Sequence, residues 1–319
     1  MYAAVVTAFD APPSYREFPA PTPTGSDEVL VDVLASGLHP RVRSQASGSH
    51  YTSTDELPLI PGVDGVGRTR DGKLRYFVLF DTAVGAMAEQ AVIDLRRSIV
   101  LPPDSDPVAV AAGMNPAMSS WIALRQRISF APGQSVLILG ATGSSGKLAI
   151  QVAKHLGAGR VVAAGRNPGK LATLTGFGAD ETVSLSGSPE EAADRLGQAA
   201  ADVDVVIDYL WGAMTAAAMR AIVTQRSDRG KPLSWIEIGS MSGPEAEIPS
   251  AALRAARLQI VGSGQGSVPT RDILAELPAL AAEIARGTFT VDARPVPLRD
   301  VETAWKDADN DQRIVITPN

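Results

Sequence analysis

Val136-Leu137-Ile138-Leu139-Gly140-Ala141-Thr142-Gly143-Ser144-Ser145-Gly146 is the stretch that decides the fold of this chain. A short apolar run ends on Gly140, and Gly143 and Gly146 follow at a constant interval before an amphipathic segment begins. That order predicts a buried strand, a tight turn and a helix start. Glycine permits the turn and lets backbone N–H groups approach a ligand. The helix behind it offers unpaired N–H donors and a positive dipole end to an anion. In strand–turn–helix context the glycine run reads as the phosphate-binding turn of a Rossmann dinucleotide domain. A nucleoside-triphosphate loop competes, because Lys147 is well placed for one. However, Ala141 replaces the first glycine of such a loop and Leu148 replaces the hydroxyl residue that holds magnesium. A glycine turn with no ligand is the remaining alternative.

The next apolar run, 161–164, ends in Gly165-Arg166-Asn167, where NAD-selective domains carry a carboxylate for the ribose hydroxyls. Here there is none. Arg166 suits a 2′-phosphate instead, and Lys170 follows one helical turn later, so the expected cofactor is NADPH. Thr142, Gly143, Ser144, Ser145, Gly165, Arg166, Asn167 and Lys170 are the expected contacts around the phosphates. Arg166 and Lys170 also read as ordinary solvated residues. Asp208-Tyr209-Leu210-Trp211-Gly212 closes a later apolar run, at the strand end where such sheets bind ligands. Leu210 and Trp211 are expected beside the cofactor and Tyr209 in a substrate pocket, with core packing the alternative for the aromatics.

Farther out, apolar runs at 136–139, 161–164, 203–207, 235–238 and 259–261 alternate with helix-like segments at 147–156, 168–175, 189–200, 213–224 and 249–257. This alternation predicts an α/β, doubly wound parallel sheet. Before it the chain reads as strands and proline turns: 28–33 alternates, with Val29, Val31 and Val33 on one face, and 76–80 is a short buried run. A helix is expected at 119–126. After Gly266 an amphipathic helix is expected at 271–286, then short strands ending at 313–317. The predicted domains are 1–114 with 264–319, mostly β, and 115–263, the dinucleotide domain.

The net charge of −6 without a basic run argues against nucleic acid and anionic membranes as partners. No apolar run has the length of a membrane span, and no secretory signal is visible, so a cytoplasmic protein acting on a small molecule is expected. There is no cysteine, which removes disulfides and thiolate metal sites.

Several segments resemble the medium-chain dehydrogenase/reductase family, in its zinc-free quinone oxidoreductase branch. Pro61-Gly62-Val63-Asp64-Gly65-Val66-Gly67 resembles its Pro-Gly-x-Asp-x-x-Gly segment, and Gly85-Ala86-Met87-Ala88-Glu89-Gln90 its Gly-x-x-Ala-Glu element. Gly140 to Gly146 with Ala149-Ile150-Gln151-Val152-Ala153-Lys154 resembles its cofactor helix, and Val205-Val206-Ile207-Asp208 its fourth Rossmann strand. The resemblance implies a GroES-like β domain beside the Rossmann domain, a homodimer, and NADPH-dependent reduction of a quinone or of the C=C bond of an α,β-unsaturated carbonyl. A carbonyl reductase and a non-catalytic NADPH-binding protein are the alternatives. Gly62-Val63-Asp64 stands where zinc-dependent relatives have Gly-His-Glu, so no metal is expected. The resemblance places Ile238, Gly239, Ser240 and Ser263 near the nicotinamide. It also puts His39 at a cleft position usually held by Asn, in Ala35-Ser36-Gly37-Leu38-His39-Pro40. Val42 and Ser44 replace the Asp and Tyr that often follow. His39 is therefore the first candidate for a substrate contact and proton donor, with Tyr51 and His50 next.

Overall fold

The computed structural model describes residues 1–49, 53–79, 82–307 and 312–318. The chain divides into one unit made of Met1–Asn115 with Leu274–Asn319 and a second made of Pro116–Ile273. The first unit begins with β1 (Tyr2–Val5), β2 (Ser14–Glu17), β3 (Glu28–Gly37), helix α1 (Pro40–Ala46), β4 (Asp64–Thr69), β5 (Leu74–Val78), β6 (Gln90–Asp94) and β7 (Ser98–Val100). In β3 the alternation does what it predicts: Val31 and Val33 are buried and Asp32 between them is exposed. The strand pairs antiparallel with β4 through a register shift between Val33 and Ala35 and with β6 along its first half. Pro40 opens α1 at its first position, with His39 extended before it.

Helix α2 (Pro107–Ile122), continued by a wider turn at Ala123–Arg127, carries the chain from the first unit to the second. It starts well before the helix expected at 119–126. Gly113 and Pro116 read as breakers, yet Val110, Ala111, Ala112, Met114 and Ala117 are all buried, and that packing overrides the propensity.

The second unit contains β8 (Ser135–Leu139), α3 (Ser144–His155), β9 (Arg160–Gly165), α4 (Pro168–Thr173), β10 (Glu181–Ser184), α5 (Pro189–Ala200), β11 (Val205–Asp208), α6 (Gly212–Gln225), β12 (Leu233–Glu237), α7 (Ser250–Ala255) and β13 (Leu258–Gly262). Its strands are all parallel, in the order β10-β9-β8-β11-β12-β13. Numbered along this unit that is 3-2-1-4-5-6, the doubly wound Rossmann order. Leu137, Leu139, Val162, Ala164, Val206 and Trp235 face one core with side chains of α5 and α6. The intervening Val136, Ile138, Val161, Ala163, Val205 and Ile207 are buried too, so the central strands read as unbroken apolar runs. Strand β10 has no such run, because it lies at the sheet edge, and nothing in the sequence announced it.

The chain re-enters the first unit within α8 (Thr270–Ala285), at Leu274, ten residues beyond the expected start of the second segment. It ends with β14 (Ala293–Pro297), α9 (Val301–Lys306) and β15 (Arg313–Thr317). Strand β15 pairs with both β14 and β3, so the tail extends the sheet that starts with β3: β14-β15-β3-β4-β5-β7, with β6 on β3.

Candidate functional site

Strand order reverses between β8 and β11, and the loops leaving their carboxyl ends make the candidate site of the second unit. Gly140 takes φ +85°, and its N–H and that of Ala141 both donate to Ala164 O. A Cβ on Gly146 would lie 2.4 Å from Gly140 O and one on Gly165 2.5 Å from Thr142 Cγ2, so packing demands both glycines. Gly143 differs. Its backbone suits any residue and the nearest atom to a Cβ there is 3.8 Å away. This glycine leaves open space over the start of α3, whose first turn has neither a side-chain cap nor an acidic residue. Thr142, Ser144 and Ser145 are half-buried around that opening. An uncapped helix start beneath a space that a Cβ would fill fits a pyrophosphate. Lys147 lies over the Phe177 ring, 5.6 Å from its centroid.

At the end of β9, Arg166 is exposed, and its carbonyl accepts a hydrogen bond from Ser186 Oγ. Asn167 caps α4, its Oδ1 accepting from the N–H of Lys170 at 3.0 Å. Lys170 is half-buried on that helix.

The loop after β11 is organised by Asp208, which is fully buried. Its Oδ1 accepts from the N–H groups of Leu210 (2.8 Å) and Trp211 (3.0 Å). Its Oδ2 accepts from Thr215 Oγ1 (2.6 Å) and Trp235 Nε1 (3.0 Å). This grip holds Trp211 at φ 55°, ψ −165°, a region costly for a side chain with a Cβ. Leu210 packs where a Gly140 Cβ would sit, 3.2 Å from that position. Ile238 and Gly239 donate their N–H groups to Asp208 O, and Met241 and Ser242 donate to the carbonyls of Tyr209 and Leu210, so the loop after β12 is zipped onto the loop after β11. Ser240 at its tip is exposed. Ser263 is buried after β13, its N–H donating to Glu237 O. Burial, then the nearby Asp208 carboxylate, pushes the Glu237 carboxyl above its ordinary range.

Tyr209 was expected in a substrate pocket, with core packing as the alternative. Its ring is 8% exposed, its hydroxyl pairs with Ser119 Oγ at 2.8 Å, and burial pushes its pKa up to about 12. Through this pair it packs the loop against α2.

The first unit holds a separate polar cluster. His39 is 3% exposed, and its Nε2 faces Asp64 Oδ1 at 3.3 Å. Tyr76 Oη donates to Asp64 Oδ2 at 2.7 Å. In the β4–β5 register Asp64 lies opposite Val78 and Tyr76 opposite Val66, a diagonal offset that a tyrosine spans. Ser36 Oγ donates to the Asp64 carbonyl. Burial lowers the His39 pKa, partly opposed by Asp64. The sequence reading picked out His39 but not Tyr76. Its one signal was a carboxylate inside the apolar Val63-Asp64-Gly65-Val66 run. Tyr51 and His50 lie outside the described residues. Among the described residues no three His, Cys, Asp or Glu side chains form a cluster able to hold a metal, and no helix is long and apolar enough to cross a membrane.

The family profile described as zinc-binding dehydrogenase matches residues 146–283. A probable NADPH-dependent quinone reductase of Emericella nidulans, tdiC, is 30% identical, with both chains covered completely. The chloroplastic NADPH-dependent alkenal/one oxidoreductase of Arabidopsis thaliana is 27% identical over 67% of this chain and 63% of its own. Among solved structures, the quinone oxidoreductase of Thermus thermophilus superposes with a TM-score of 0.83 at 24% identity, covering 99% of this chain and all of the other. The fold is thus the GroES-like domain joined to a Rossmann domain. The chain belongs to the medium-chain dehydrogenase/reductase family, in its quinone reductase branch.

Proposed function

We propose that this chain is an NADPH-dependent oxidoreductase that reduces a quinone or the C=C bond of an α,β-unsaturated carbonyl. The observation that carries the reading is the uncapped start of α3 under the open space at Gly143, in a chain matched end to end by a probable NADPH-dependent quinone reductase. When bound, NADPH supplies a hydride to the electrophilic carbon of the substrate.

The residues divide the remaining work. Beside the space left by Gly143, the backbone N–H groups of Ser144 and Ser145, with the hydroxyls of Thr142, Ser144 and Ser145, bind the pyrophosphate. Arg166 and Lys170 neutralise the 2′-phosphate, with Gly165 and Asn167 shaping their turn. Leu210 and Trp211 flank the cofactor, and Ile238, Gly239, Ser240 and Ser263 border its nicotinamide end. His39 contacts the substrate and donates the proton that completes reduction, with Tyr51 second to it. The reaction runs without zinc: the chain has no cysteine, and both oxygens of Asp64 are already engaged. The chain works as a homodimer, a reading supported by β13 at the outer edge of the Rossmann sheet.

The test follows NADPH absorbance with a panel of quinones and enones, in the presence and absence of a strong chelator, with product analysis. Saturated ketone or hydroquinone is expected, unaffected by chelation. NADPH binding without turnover would sink the reading in favour of a binding protein, and an allylic alcohol product in favour of a carbonyl reductase. NADPH should outperform NADH. Arg166→Ala should raise the Kd for NADPH by about tenfold or more while leaving that for NADH unchanged, as expected for loss of one charged hydrogen bond. Light scattering gives the oligomeric state.

A further inference from the structure

Asp64 is a carboxylate in a place where an apolar side chain would serve the fold better. It is 1% exposed on β4, and desolvating an ionised group is expensive unless its partners are well placed. Two partners are present, one on each oxygen: the Tyr76 hydroxyl on Oδ2 and His39 Nε2 on Oδ1. Tyr76 is fully buried, and burial with the adjacent carboxylate pushes its pKa well above the ordinary phenol value. It therefore stays protonated and acts as a fixed donor. A carboxylate oxygen accepts, so the hydrogen between Asp64 and His39 is assigned to Nε2. The other ring nitrogen, Nδ1, is then the one left for chemistry.

We propose that Asp64, oriented by Tyr76, is a positioning residue that fixes the His39 hydrogen on Nε2 and leaves Nδ1 as the nitrogen that hands a proton to the reduced substrate. The proposal rests on His39 being the proton donor of the proposed reductase. In the donating form both ring nitrogens carry hydrogen, and Asp64 offsets part of the burial that disfavours this imidazolium. The Nδ1 proton passes to the reduced substrate, the N–H electron pair stays on the ring, and a proton taken up from solution replaces it, one per turnover.

The grip of Tyr76 makes an unusual test possible. In Asp64→Asn the buried Tyr76 hydroxyl still requires an acceptor, so the amide oxygen stays on its side and the amide N–H groups face His39. Nε2 must then accept, and the ring hydrogen moves to Nδ1. A neutral ring in that tautomer could donate only by becoming an imidazolate, so proton delivery stops. Adding Tyr76→Phe frees the amide to turn its oxygen toward His39 and restores the Nε2–H tautomer.

The experiment uses the full chain with isotope-labelled histidine. His39 signals are assigned by their loss in His39→Gln, and the tautomer is read from nitrogen–hydrogen correlation NMR. The same samples give kcat, KM and, by fluorescence titration, the NADPH Kd. Expected are Nε2–H in the wild type, Nδ1–H in Asp64→Asn with kcat down about 100-fold and an unchanged NADPH Kd, and Nε2–H with partial recovery of kcat in the double variant. If Asp64→Asn keeps the Nε2–H tautomer, or keeps kcat within about twofold of an active wild type, the proposal alone is overturned. A wild type inactive on every quinone and enone overturns the reductase reading and the proposal with it.

Discussion

At the scale of single residues, His39 is governed by groups from four elements. Asp64 of β4 favours its charged form, while Arg313 of β15, Arg41 of α1 and, above all, burial oppose it. Tyr76 of β5 acts through the other oxygen of Asp64. The net result is a folded-state pKa below the ordinary 6.5. Between that lower value and 6.5 the unfolded chain binds a proton that the native chain lacks, so stability rises with pH across this window. The contribution is complete above 6.5 and is lost progressively as pH falls toward the folded-state value. Melting temperatures measured across this range should therefore fall more steeply on acidification for the wild type than for His39→Gln. Equal slopes would show that His39 is not held as a depressed, buried base.

At the scale of elements, the loop after β11 is where packing and the candidate site meet. Asp208 accepts four hydrogen bonds, two from its own loop and two from α6 and β12, and so ties the Leu210–Trp211 turn to the sheet. In Asp208→Asn the amide nitrogen cannot accept, so at least one oxygen position loses its two donors. The expected cost is about 2–4 kcal/mol, read by urea unfolding, because buried donors are left without partners. Thr215→Val removes one donor and should cost about 1 kcal/mol. A similar small loss in both variants would mean that the buried carboxylate does not organise the turn. The sheet edge supplies a contrast: β10 packs one buried valine where the central strands bury whole runs, and for that reason its sequence carried no strand signal.

At the scale of the whole molecule, the two units differ in how the chain builds them. The Rossmann unit is one continuous segment, Pro116–Ile273, whereas the other is assembled from two distant segments. All proposed NADPH contacts lie within the continuous one. NADPH at 100 times its Kd should stabilise the full chain by about 2.7 kcal/mol through linkage. A fragment comprising residues 116–273 should bind NADPH and show a comparable thermal shift. A folded fragment with no shift would place essential cofactor contacts in the other unit.

The sequence by itself determined the parts whose physics is local. A strand, a glycine turn and a helix start are contiguous, and the steric demands at Gly146 and Gly165 arise between near neighbours or along one βαβ unit. The parallel sheet followed from unbroken apolar runs, and Arg166 was legible because the position after the second strand is fixed by that unit. Only the tertiary structure decided what depends on register and long-range packing. His39 and Asp64 are 25 residues apart, and Tyr76 reaches Asp64 only because β4 and β5 pair with their particular offset. Tyr209 and Ser119, 90 residues apart, meet through α2, a helix that propensity alone would have broken at Pro116. The dinucleotide turn was therefore readable in one line of sequence, whereas the buried His39–Asp64–Tyr76 array existed only once the strands had paired.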